Sequence, residues 1–148
     1  MSVAVLSLPR LERYALAATL HLAGQGDDHR PTSDELADAI DAPRPMLAKV
    51  LRRLVLAGLV ESVRGHHGGY RLGRLPEHIF LADVLGAVED EDDEHGAEME
   101  CALGVRACNP KNPCKLHDCW LKATRDLREL LFATTLFEVL HGQCHVRL

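Results

Sequence analysis

A chain of 148 residues in which 47% of side chains are apolar and only 4% aromatic can bury one aliphatic core without disulfides, and its wealth of Leu and Ala leans towards helix. The formal net charge of −5, taken as a whole, argues against a polyanionic partner. No apolar run reaches the ~18 residues of a membrane-spanning helix, and Arg10, Glu12 and Arg13 interrupt the first stretch before a secretory signal can form; a cytoplasmic protein is expected, whose five cysteines are ligands or thiols rather than disulfides.

Leu8, Leu11, Ala15, Ala18 and Leu22 recur at spacings of three and four, predicting a helix over roughly 8–23. Pro9 and the glycines at 24 and 26 bracket it, and His21 reads as a structural histidine. Thr32 followed three residues later by Glu35 has the form of a capping box opening a short helix over about 33–40. Pro43 ends that helix by disfavouring helical geometry at the residue before it. A third helix then runs from Pro43 or Pro45 to Ala57, with Gly58 as its stop. Leu47, Val50, Leu51 and Leu54 form its buried stripe, while Arg44, Ala48, Lys49 and Arg52 face the other way and Arg53 lies at the flank. Two helices joined by a short turn, the second with a basic face, are the parts of a helix-turn-helix.

Leu59 to Val63 is short, apolar and β-branched, the segment 64–69 is too glycine-rich for regular structure, and Tyr70-Arg71-Leu72 resumes a strand. This predicts a hairpin whose tip carries Arg64, His66 and His67, with Arg71 on the return. Attached to a helix-turn-helix, such a hairpin is the wing of a winged-helix domain. Its glycines suit close approach to phosphate, and Arg64 suits a minor groove. Local charge agrees: residues 42–74 carry seven Lys+Arg against one Glu, whereas residues 75–100 carry ten acids and no base. A basic reading segment is therefore masked in the total charge by an acidic one.

Ile79 to Val88 reads as a short helix, and eight acids within residues 89–100 form a solvated linker. A long helix is expected from Asp118 to about Leu140. Its stripe Leu116, Trp120, Ala123, Leu127, Leu130, Thr134 and Phe137 advances by alternating fours and threes, a seam for a second helix that points to a homodimer. Cys144 and His145 fall in the tail beyond Gly142.

Between linker and long helix lies Cys101-x6-Cys108-x5-Cys114-x2-His117, with Cys119 two residues on. Thiolates at this density select zinc, cuprous copper or an iron–sulfur cluster over hard cations. Three Cys and one His complete a zinc tetrahedron. Gaps of six and five residues, in contrast, span an object larger than one ion and favour an iron–sulfur cluster. An enzyme built on Cys114 and His117 would lack an oriented third group and a phosphate-cradling loop, so neither catalysis nor a small-molecule substrate is expected.

The wing Ser62-Val63-Arg64-Gly65-His66-His67-Gly68-Gly69-Tyr70-Arg71-Leu72-Gly73, the N-terminal Arg13-Tyr14-Ala15-Leu16, the Cys/His loop and the long helix behind it together resemble the IscR-type (IscR/NsrR-like) family of bacterial winged-helix iron–sulfur transcription regulators, over about residues 8–141. The resemblance implies a homodimer joined through the long helix, a partly palindromic double-stranded promoter site, and a cluster held by Cys101, Cys108 and Cys114. His117 matches the histidine that completes a 2Fe–2S site in that family. A nitric-oxide-sensing branch holds 4Fe–4S with an aspartate from the first helix of the other subunit. Arg13 stands at that position here and cannot ligate iron, which favours 2Fe–2S. The chain departs from the family in a first cysteine gap one residue longer than usual, in Cys119 as an alternative fourth ligand, and in Ala48, where the family's recognition helix has an acid.

The expected architecture is mainly α: a winged helix-turn-helix domain over 1–88, an acidic linker and cysteine-ligand loop over 89–117, a dimerisation helix over 118–141 and a tail over 142–148. The expected function is promoter binding through Arg44, Lys49, Arg53, Arg64, His66 and Arg71, controlled by a cluster that senses iron, redox or nitric-oxide status. A zinc site or a cluster-free thiol switch is the alternative.

Overall fold

The structure, a computed structural model, describes residues 8–26, 29–89 and 111–143. Helix α1, Arg10–Gln25, starts after Pro9 and buries Ala15, Ala18, Thr19 and Leu22. Thr19 enters the core without an orphan hydroxyl, because its Oγ1 donates to the carbonyls of Ala15 at 2.9 Å and Leu16 at 3.1 Å. His21 is half-buried and pairs through Nε2 with Gln25 at 3.0 Å, a structural role as expected.

Helix α2, Ser33–Ala39, opens on the expected capping box: Glu35 N donates to Thr32 Oγ1 at 3.2 Å and Thr32 N donates to Glu35 Oε2 at 2.7 Å. Asp41, at φ 51°, turns the chain into α3, Arg44–Leu56. Pro43 caps α3 and Pro45 lies in its first turn, where a missing amide costs no bond. Leu47, Val50, Leu51 and Leu54 are all buried, so the predicted stripe is the observed one.

Strands β1, Val60–Val63, and β2, Gly69–Leu72, form an antiparallel hairpin with Val60 opposite Leu72 and Glu61 opposite Arg71. A single 3-10 turn, Pro76–His78, leads to α4, Leu81–Gly86. The Phe80 amide donates to Asp83 Oδ2 at 3.1 Å at the start of α4. One aliphatic core joins Leu36, Leu51, Leu54 and Val60 to α1 and to Ile79, Val84 and Val88.

The expected single helix over 118–140 is two. Helix α5, His117–Ala133, ends where Thr134 turns extended, and α6, Leu136–Leu140, starts afresh. The reason is a second capping box. Glu138 N donates to Thr135 Oγ1 at 3.3 Å and Thr135 N donates to Glu138 Oε2 at 2.8 Å. The break also lets Leu81 N donate to Thr134 O, and Leu136 N to Ile79 O, each at 2.9 Å. These bonds return α6 to the winged-helix core, where Leu136 is fully buried against the elements around α1. The helix proper to the apolar seam is thus α5 alone. None of its residues is buried, and Leu127 and Phe132 stay exposed on it, with Leu116 exposed just before its start.

Candidate nucleic-acid interface and cysteine site

The helix-turn-helix puts a basic face on α3 and the hairpin puts a basic tip beside it, but the six expected contact residues differ in what already holds them. Arg44 is bound to α2: Nε donates to Asp34 Oδ1 at 2.8 Å and Nη2 to Asp38 Oδ1 at 3.1 Å. The Asp34 hydrogen bond, with Asp38 beside it, raises the guanidinium above its ordinary value. Both pairs are well exposed, and exposed pairs are weak and screened by salt. Arg44 therefore fastens the start of α3 to α2 while its charge still lies at the surface.

Arg53 departs from expectation. It is half-buried, and its Nη1 donates to the carbonyls of Val88 and Glu89 beyond α4. No local pattern signals this, because the partner is backbone 35 residues away. Lys49 is exposed on the outer face of α3. Arg52, which faces the same way, is exposed and has no hydrogen-bond or ion-pair partner among the described residues. It belongs in the candidate set and was left out of it. Its position one turn before Leu56 on the polar side was the available signal.

On the wing, Arg64 and His66 are exposed at the tip, and the His66 and His67 rings lie 5.8 Å apart. Arg71 is engaged across the hairpin, with Nε and Nη2 both donating to Glu61 Oε2 at 2.9 and 2.7 Å. Such a directly opposed pair stiffens the two strands modestly. The wing glycines have an internal reason as well as an external one. A Cβ on Gly68 would lie 2.3 Å from Val63 O, and one on Gly69 would lie 2.2 Å from Arg30 O. The loop before α2 runs so close because Tyr70 N donates to Pro31 O at 2.9 Å, adding that loop to the hairpin as a third edge.

Of the expected cluster ligands, Cys101 and Cys108 lie outside the described residues. Cys114 and His117 are half-buried and share a turn, His117 N donating to Cys114 O at 3.0 Å as α5 begins. Cys119 is exposed, two residues along the helix and so about 200° around it from His117. His117 and Cys119 therefore cannot both face the turn that holds Cys114. Among the described residues no group of three His, Cys, Asp or Glu is gathered for a metal, and none of their helices is long and apolar enough to cross a membrane.

Comparison with known proteins agrees with this geometry. Residues 9–142 match the family described as Rrf2, iron-dependent transcriptional regulator. The regulator NsrR of Bacillus licheniformis is 30% identical over 135 residues, covering 90% of this chain and 92% of its own. The regulator IscR of Xenorhabdus nematophila is 29% identical over 131 residues, covering 88% and 77%. Among solved structures, CymR, the global cysteine regulator of B. subtilis, superposes with a TM-score of 0.74 at 25% identity, covering 93% of this chain and 98% of that one. These relatives are regulators of transcription rather than enzymes. The chain therefore belongs to the Rrf2 family and is a DNA-binding transcriptional regulator.

Proposed function

We propose that this regulator acts as a homodimer on double-stranded promoter DNA, and that an iron–sulfur cluster of the 2Fe–2S type, held by Cys101, Cys108, Cys114 and His117, controls its binding. The observation that carries the reading is the turn at the start of α5, where Cys114 and His117, three residues apart, close one hydrogen-bonded turn while Cys119 is exposed about 200° around the helix from His117. A soft thiolate and an imidazole at one bend fit the donor set that such clusters take. The cluster would supply a link between the cysteine loop and α5 that exists only when iron, redox state or nitric oxide permits it. Dimerisation is supported by the exposed apolar side chains of Leu127 and Phe132 on α5 and of Leu116 just before it, since exposed apolar surface gains from cover by a second copy. DNA contact falls to Lys49, Arg64 and His66 at exposed positions, with Arg44 and Arg71 contributing from the bonded positions described above, while Arg53 holds the carbonyls of Val88 and Glu89.

Anaerobic purification tests the reading. A coloured protein with visible absorbance and about two iron and two sulfide per chain is expected, together with a gel shift of DNA upstream of its own gene that changes when the cluster is removed. A colourless protein with stoichiometric zinc overturns it.

A cluster-free thiol switch is the second reading. It is favoured by the exposure of Cys119 and by the likeness to a structure described as a cysteine regulator. A colourless, metal-free protein whose gel shift responds to thiol oxidants would support it.

A further inference from the structure

We propose that the groove between the end of α1 and the base of the wing is a binding site for a small α-amino acid with an apolar side chain. The groove has a volume of about 430 Å³, within the range of small-molecule sites. Leu22 of α1 and Leu72 of β2 form its apolar floor, Glu61, Arg71 and Arg74 its polar wall, and Leu75 its rim. Its shape is set by backbone. Gly73 N donates to Leu59 O at 2.9 Å, which joins the end of β2 to the chain that leaves α3. A Cβ on Gly73 would lie 2.7 Å from Gly58 O and 3.5 Å from Glu61 Cγ, so this crossing has no room for a side chain at 73. Arg74 reaches back over the same crossing, its Nη2 3.8 Å from where a Cβ on Gly58 would stand.

The polar wall has capacity to spare. Arg71 donates from both Nε and Nη2 to Glu61 Oε2, which leaves Glu61 Oε1 without a hydrogen bond among the described residues. Arg74 is exposed and has no hydrogen-bond or ion-pair partner among them. The wall therefore offers a guanidinium fork to a carboxylate and a carboxylate oxygen to an ammonium group. Apolar surface lies beside both, and Leu75 at the rim is 62% exposed.

Charge narrows the ligand class. The lining sets two guanidinium groups against one carboxylate. Asp27 and Asp28, outside the described residues, follow Gly26 in the chain, and Glu77 follows Pro76. Those acids oppose a phosphate or a dicarboxylate. A molecule with one charge of each sign meets no such penalty: its carboxylate faces Arg74, its ammonium group faces Glu61, and its side chain lies on the leucines. Because the walls come from α1 and from the hairpin, a bound amino acid ties the wing to α1. The inference needs neither the cluster nor the DNA-binding reading.

Binding is read on the full chain from the methyl resonances of Leu22, Leu72 and Leu75. The probes are L-alanine, L-leucine and L-phenylalanine, each titrated to about 10 mM. L-leucine is expected to bind with a Kd on the order of 1 mM or lower. Two analogues of its skeleton each lack one charge: 4-methylpentanoate has no ammonium group, and 3-methylbutylamine has no carboxylate. Each should bind at least about ten-fold more weakly, because a wall group is left unpaired. Arg74→Gln should weaken L-leucine by about ten-fold and cause no loss for 3-methylbutylamine. Glu61→Gln should weaken L-leucine and cause no loss for 4-methylpentanoate. Both residues are exposed, and the melting temperature verifies that each variant is folded. Resonances that move with none of the three amino acids overturn the site. Analogues that bind as tightly as L-leucine overturn the zwitterionic ligand class, and a folded Arg74→Gln that binds L-leucine like the wild type overturns the role of the wall.

Discussion

The Arg53 guanidinium donates to the main-chain carbonyl of Val88, joining the last turn of α3 to the point where the chain leaves α4. A charged donor on a part-buried carbonyl holds two elements in register more firmly than an exposed ion pair would. Replacing Arg53 by Met keeps the aliphatic stem and removes the donors. It is expected to cost about 1.5–3 kcal/mol, seen as a lowered melting temperature, and to leave the salt slope of DNA binding unchanged. A slope reduced by about 1 would assign Arg53 to a phosphate instead.

Gly69→Ala tests the third edge of the wing. The new methyl would meet Arg30 O at 2.2 Å, so either the loop before α2 or the hairpin must move. A loss of about 1–3 kcal/mol is expected from the overpacking, together with weaker DNA binding. Denaturant unfolding and anisotropy measure the two effects, and an unaltered wing in the variant would show up as no change in either.

The Glu35 carboxylate is held below its ordinary range chiefly by the Thr32 amide. A lowered folded-state value means that its stabilisation is present above the ordinary range and is lost as pH falls through the folded value. Wild type should therefore exceed Glu35→Ala in stability at about pH 7, with the gap closing towards about pH 3. Denaturant midpoints for both proteins across that range decide it, and a gap independent of pH would refute the carboxylate's role.

The fourth ligand is open to direct comparison. Because His117 shares its turn with Cys114 and Cys119 is about 200° away on the helix, His117→Ala should lose or shift the visible absorbance of the anaerobic protein. Cys119→Ala should retain it. The reverse pattern would transfer the fourth position to Cys119.

Much of the fold is local and so was readable beforehand. The buried stripe of α3, the Thr32 and Glu35 cap and the glycine-broken wing each depend on residues a few positions apart, where periodicity and turn chemistry act directly. The break at Thr134 was equally local, since Thr135 and Glu138 repeat the pattern of Thr32 and Glu35, but the apolar seam ran through it and hid it. What could not be read was partnership at a distance. Arg53 looks like any flanking arginine until Val88 is beside it, and the pairing of Arg71 with Glu61 appears only once the hairpin sets the two opposite each other. For the cysteine site, spacing and chemistry were legible in all four expected ligands, whereas the structure speaks to Cys114 and His117 alone.

The return of α6 changes what kind of module this is. Because Leu136 N bonds Ile79 O and Leu136 fills the core beside α1, the whole stretch from 89 to 133 is an insertion within the winged helix rather than an appendage to it. Cutting the chain after Val88 would remove the core side chain of Leu136 along with the cysteine segment, so a truncated reading head should be a poor folder. In the reading proposed above, a cluster that drew the inserted stretch together would act on two ends that are both joined to the DNA-reading unit, so chain connectivity alone would transmit the change.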